Sequence, residues 1–327
     1  MSKRHVLEWM HELVSFNVIG DKQYKSRYNG FNGELHFMQF FRETRITPSA
    51  SGGVFVPLVR TDDSFNQSIY IVVTSNKNCS FIDEQLRLAS NLATKGCFKA
   101  TYDKDEPITN WSYIEVPSTH TPVKVHFPSS FQLSRWDNDE NIDISEFFEI
   151  TGFSPSFKKR ATVPEPLKES FLSKFECYDY EDIVETYLTR FVLDCLCSLH
   201  GSNRNFQRGA PLDIDMFVRT TSGQWAILEI KEKDLSRNGC FGMDIRRINS
   251  LLQISQSFSM KTYYVVRHID NQNSRSFVDW KFIDMIEFEQ YANKSQIQGG
   301  HGMRKEDSDN PTLLCQLKYF KSLVKRV

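Results

Sequence analysis

Residues 211–233 read PLDIDMFVRTTSGQWAILEIKEK, and the fold turns on how this stretch is read. Asp213 and Asp215 head one apolar run, while Glu229 and Lys231 close another. Burying unpaired charge is among the costliest things a fold can do, so four charged groups inside strand-like segments need a purpose. Successive side chains of a strand alternate faces. Asp213, Asp215 and Phe217 therefore share one face, as do Trp225, Ile227, Glu229 and Lys231. A turn centred on Ser222 sets Arg219 opposite Trp225, Phe217 opposite Ile227, Asp215 opposite Glu229 and Asp213 opposite Lys231. Directly opposed residues have Cβ atoms about 4.5–5.5 Å apart.

Two carboxylates at that separation repel each other. A divalent cation compensates for them: Mg²⁺ favours hard oxygen ligands and is commonly held by one or two carboxylates, with waters and phosphate oxygens in its remaining positions. Lys231 adds a positive charge that could orient an attacking water or stabilise charge on a phosphate. The competing reading is an exposed hairpin with a surface Asp213–Lys231 salt bridge. Against it, Glu229 lies between Leu228 and Ile230 in a run too apolar for a freely solvated strand, and flanking helices would bury both faces of such a sheet.

Outward from the hairpin, YEDIVETYLTRFVLDCLCSLH (180–200) places Val184, Leu188, Val192, Cys195 and Leu199 at helical spacing, with Gly201 as the stop. DIRRINSLLQISQSFS puts Ile245, Ile248, Leu252 and Ser255 on one helical face, and KTYYVVRHI is a β-branched and aromatic strand. The order is helix, hairpin, helix, strand. An aspartate at the start of a strand, a short hairpin and an apolar strand ending in Glu-x-Lys resemble the active site of the PD-(D/E)XK nuclease superfamily, the restriction-endonuclease-like group. The resemblance covers about a third of the chain, from 180 to about 269.

It implies an α/β (α+β) fold whose core is a mixed central sheet flanked by helices, preceded by an N-terminal α+β domain. Glu229 and Lys231 match the Glu-x-Lys. Asp215 matches the metal-binding aspartate, with Asp213 as rival, because Pro211 precedes Leu212 and a literal Pro-Asp is absent. Ile230 is implied as a further metal ligand. Glu185 on the preceding helix is the candidate auxiliary acid, with Glu181 one turn earlier as the alternative and Gln253 as a further candidate from the second helix. The implied cofactor is Mg²⁺, or Mn²⁺, the partner DNA, and the working assembly a homodimer. The implied activity is an endodeoxyribonuclease of the restriction or defence type. An RNase on the same site, or a non-catalytic binding protein of the same fold, are the alternatives.

Composition agrees with a folded chain: 327 residues, 40% hydrophobic and 25% charged. That length favours two domains, and SPSFKKRATVPEPLK (154–168), with three prolines and no periodicity, suggests a division into 1–160 and 161–327. The first part would recognise DNA or a partner. No apolar run reaches the roughly 18–20 residues of a membrane span. The opening MSKRHVLEWMHELVSF lacks an apolar signal core, and seven scattered cysteines suggest reduced thiols, so a cytoplasmic protein is expected. With a net charge of −1, nucleic-acid binding would depend on local clusters such as 157–160, Arg204 with Arg208, Arg246 with Arg247, or the C-terminus. FVPLVRTDDSFNQSIYIVVTSNK echoes the hairpin without its carboxylates and lysine. Generic hairpins share that much; a true repeat would make the first part a related fold without a metal site.

Overall fold

The computed structural model describes residues 2–16, 20–44, 50–58, 67–75, 79–118, 121–153, 155–157, 162–197, 211–220, 222–297 and 312–323. Leu199, His200, Gly201, Arg204, Arg208 and the basic residues 158–160 and 325–326 lie outside them. The chain forms two compact units, Met1–Tyr28 with Ser51–Ile214, and Asn29–Ala50 with Asp215–Val327. The proline-containing stretch 154–168 is thus a connection inside the first unit, because the helices after it bury Phe171, Leu172, Phe175, Ile183 and Leu188 there.

The first unit contains α1 (Ser2–Ser15), the start of α2 (Asp21–Thr44), β1 (Ala50–Pro57), β2 (Ser68–Thr74), α3 (Ser80–Ala89) and β3 (Gly96–Thr101). There follow β4 (Ser112–Val116), β5 (Val123–Phe127), β6 (Gln132–Arg135), β7 (Glu140–Ile142), α4 (Ile144–Thr151), α5 (Glu165–Phe175) and α6 (Tyr180–Phe191). A π-turn at Val192–Leu196 extends α6, and β8 (Leu212–Arg219) runs on into the second unit. Within the first unit the strand order is β1-β2-β3-β6-β7, with β4 and β5 a separate hairpin. Arg4 on α1 forks onto Glu169 and Glu176 at 2.8 and 3.0 Å, tying α5 to the N-terminus.

The second unit adds β9 (Trp225–Lys233), β10 (Cys240–Asp244), α7 (Ile245–Phe258), β11 (Lys261–Ile269), β12 (Phe277–Asp284), α8 (Met285–Tyr291), β13 (Asn293–Ile297), β14 (Thr312–Gln316) and β15 (Lys321–Ser322). Its strand order is β8-β9-β11-β12-β15, while β10, β14 and β13 form a small sheet of their own. The class is mixed α/β. β9 and β11 are parallel and joined through α7, whereas β8 and β12 run antiparallel to their neighbours.

Both units carry the same order: an antiparallel hairpin, a crossover helix, a parallel strand and an antiparallel strand beyond it. The registers agree as well. Ser68 and Trp225 each begin the second hairpin strand, and the residue after each, Ile69 or Ala226, pairs with the first residue of the parallel strand, Gly96 or Lys261. Counted from that start, Val72 occupies the place of Glu229 and Thr74 that of Lys231. Gly53 answers to Asp215. The echo seen in the sequence is therefore carried by a whole supersecondary unit rather than by the hairpin alone.

One face of the second unit's sheet packs on α2. Phe37, Met216, Val218, Ala226, Leu228, Ile230, Val265 and Trp280 are buried together there, with Phe37 and Trp280 edge to face at 4.9 Å. Gly33 permits the close approach, since a Cβ on it would stand 3.1 Å from the Glu232 backbone nitrogen. The other face lies under α7, which buries Ile248, Leu251, Leu252, Ile254, Ser255 and Phe258. Asp244 caps α7 by accepting from Arg246 N at 2.8 Å. Asp244→Ala is expected to lower stability by about 1 kcal/mol in urea unfolding. Among the described residues no helix is long and apolar enough to cross a membrane, and the seven thiols are free.

Candidate functional site

A polar turn fixes the hairpin. Thr220 N donates to Gln224 O and Gly223 N to Thr220 O, both at 2.8 Å, and Gly223 takes the left-handed φ of +79° that a side chain would strain. The ladder then pairs Arg219 with Trp225, Val218 with Ala226, Phe217 with Ile227 and Met216 with Leu228. This is the register of a turn centred on Ser222. Beyond Met216 the backbone ladder ends and a side chain replaces it: Ile230 N donates to Asp215 Oδ2 at 2.6 Å.

Asp215 and Glu229 are thereby brought together, their side chains 1% and 0% exposed. Lys231 Nζ lies 2.8 Å from Glu229 Oε1 and 3.4 Å from Asp215 Oδ2. Arg247, from the first turn of α7, pairs with Glu229 Oε2 and reaches 3.9 Å from Asp215 Oδ1. Two carboxylates and two cations make a neutral cluster, closed on the carboxylate side and open at Lys231, whose side chain is 33% exposed. Beside it, Tyr264 pairs with Glu229 across the parallel ladder and donates its hydroxyl to Gly242 O at 3.1 Å. Burial raises that phenol's pKa well above its ordinary value.

The other sequence candidates have partners of their own. Asp213 belongs to the first unit and accepts from Arg190 Nη2 at 3.1 Å. Nearby, desolvation of the half-buried Asp194 raises its pKa against the lowering influence of Arg27 and Arg190. Glu185 and Glu181 sit on α6 of the first unit; Glu181 is exposed and bonds Lys104 at 2.9 Å. Gln253 is half-buried on α7, where its backbone carbonyl accepts from Ser257 Oγ at 2.9 Å.

No family model, curated protein or solved structure matches this chain. The chemistry of the site therefore rests on its own residues.

Among the described residues no group of three or more His, Cys, Asp or Glu side chains could hold a metal ion. Two carboxylates nevertheless suffice for Mg²⁺, which usually keeps several waters and takes the rest of its oxygens from substrate. Asp215, Glu229 and the Ile230 carbonyl are the hard oxygen donors that such an ion would take.

Sequence reading grouped Arg246 with Arg247 as a basic cluster for nucleic acid and did not single out Arg247 as a partner of the carboxylates. Helical spacing distinguishes them: Arg247 falls four residues before Leu251 and seven before Ile254, both fully buried, which aims it at the sheet. It also passed over Glu232, which alternation puts on the opposite face of β9. There Glu232 is 0% exposed and accepts from Asn32 Nδ2 at 2.6 Å, Arg267 Nη1 at 2.8 Å and Arg275 Nε at 2.8 Å.

Proposed function

We propose that the chain is a Mg²⁺-dependent nuclease that hydrolyses DNA phosphodiester bonds at Asp215, Glu229 and Lys231. The observation that carries this reading is the meeting of two fully buried carboxylates on neighbouring strands, with a lysine between them and solvent. Two further features support it. The helix, hairpin, crossover helix and parallel strand follow the order of a restriction-endonuclease-like core. Lys231 also lies in the carboxyl half of β9, one of two parallel strands, the end at which ligands of open α/β sheets bind.

In this reading Asp215, Glu229 and the Ile230 carbonyl would hold the ion, which would supply Lewis acidity there. Asp215 is kept in place by the Ile230 N–H. Lys231, fixed by both carboxylates, donates to the attacking water or to a phosphate oxygen, and it stabilises the charge that grows as the P–O bond breaks. Arg247 neutralises Glu229 and adds a second positive charge beside the carboxylates. The first unit bears Gly53, Val72 and Thr74 at the corresponding places, so among the described residues that unit does not repeat the centre. Recognition of DNA or a partner falls to that unit, and cutting both strands of a duplex calls for a homodimer.

A second reading is favoured by one observation: Lys231 and Arg247 already balance both carboxylates, as they would in a binding protein that kept the fold without catalysis. Incubation with plasmid, single-stranded DNA and RNA separates the two. We expect Mg²⁺-dependent DNA products that vanish with EDTA and with Asp215→Ala. Cleavage undiminished by Asp215→Ala overturns the assignment, and products from RNA alone make the substrate RNA.

A further inference from the structure

Glu229, Lys231 and Lys233 share one face of β9, because strand side chains alternate. Glu229 and Lys231 neutralise each other, but Lys233 has no such partner: its ammonium makes no hydrogen bond or ion pair among the described residues, although it is partly buried. Burial and the charge of Lys231 hold its pKa below that of an ordinary lysine. The parallel register sets Lys233 beside His268 on β11, and in-register neighbours on parallel strands project to the same side. His268 is 9% exposed, and its Nδ1 is buried with no hydrogen-bond partner. Burial, followed by the charge of Lys281, lowers its pKa against the raising influence of Asp279, its in-register neighbour on β12, and of Asp234, which favours a neutral ring with one N–H to donate.

Two adjacent polar side chains thus lack partners at the carboxyl ends of two parallel strands. Asp234 and Glu229 act on that ammonium without pairing with it, so it lacks a contacting counter-ion, which an anion from outside would supply. Lys233 stands two residues beyond Lys231, about 6.6 Å along the strand, on the scale that separates neighbouring phosphates of a polynucleotide. Lys231 lies where the cluster opens to solvent, so a strand entering there passes Lys233 next.

We propose that Lys233 and His268 form a second anion subsite, which takes the phosphate adjacent to the scissile one. This rests on the nuclease reading for the identity of the first phosphate. Lys233 contributes a point charge, and His268 a directed N–H that fixes the register of the strand.

The test is fluorescence anisotropy of a labelled DNA duplex with the full chain in EDTA, over a series of NaCl concentrations. Each phosphate contact contributes about 0.9 to the slope of log affinity against log salt. Lys233→Gln should reduce the slope by about one and weaken low-salt binding several-fold, and Lys233→Arg should restore both. His268→Gln, which leaves the strand's charge unaltered, should weaken binding with the slope retained. Thermal melting of each variant confirms that it is folded. An unchanged slope and affinity in Lys233→Gln together with unchanged affinity in His268→Gln overturns the subsite, as does a Lys233→Arg variant that binds no better than Lys233→Gln. Magnesium calorimetry fails separately: no heat in the wild type defeats the nuclease reading and leaves the salt slope to decide the subsite alone.

Discussion

Glu229→Gln is expected to reduce Mg²⁺-dependent DNA cleavage at least about 10²-fold, the scale on which loss of one group stabilising transition-state charge is felt. The same substitution should also destabilise the protein. It removes one negative charge from a neutral cluster whose Glu229 side chain is 0% exposed and whose Arg247 side chain is 16% exposed, and stripping a buried ion pair of one partner costs about 3–5 kcal/mol. A structural acid and a catalytic acid would both show that loss in urea unfolding. They differ in what magnesium does. An ion bound only by the native state stabilises it by mass action, so wild type should melt at a higher temperature in Mg²⁺ than in EDTA, and Glu229→Gln should melt at the same temperature in both. Full cleavage by a folded Glu229→Gln protein would contradict the mechanism.

Glu232→Leu is expected to cost about 3–5 kcal/mol in urea unfolding, with no direct part in chemistry. Its carboxylate is the shared acceptor of Asn32, Arg267 and Arg275, and the two guanidinium side chains are only 10% and 15% exposed. Without it they face each other as partly buried like charges. Glu232 stands between Lys231 and Lys233 on β9, so this network anchors that strand from its far face. A loss below about 1 kcal/mol would mean that water or rearranged arginines compensate, and that the network does not fix the strand.

The central hairpin was legible because its determinants are local. A polar five-residue turn and strict alternation set the register, and a one-residue slip would have turned Asp215 and Glu229 to the α2 face. The ladder's end at Met216 and Leu228 was not legible, since it depends on the Asp215 carboxylate capturing the Ile230 N–H. Arg247 and the Glu232 network needed contacts between residues 18 to 200 positions apart, which no local pattern encodes. β10 was missed for the same reason: CFGMD becomes a strand by pairing with β14, more than seventy residues later, not with β9. The expected boundary in 154–168 rested on prolines and charge. Those residues suit a loop within one core as well as a linker, and the units instead part within β8 and α2, where no compositional change occurs. The echo between the two halves was weak in sequence because it survives in strand order and register while its polar positions differ.

The most direct test of the central claim is calorimetric titration of Mg²⁺ and Mn²⁺ into the metal-free full chain, alongside folded Asp215→Asn and Glu229→Gln proteins. A saturable heat in the wild type that disappears in both variants is the predicted result. No heat in the wild type, or a heat that survives both substitutions, would contradict a metal-dependent site at these two carboxylates.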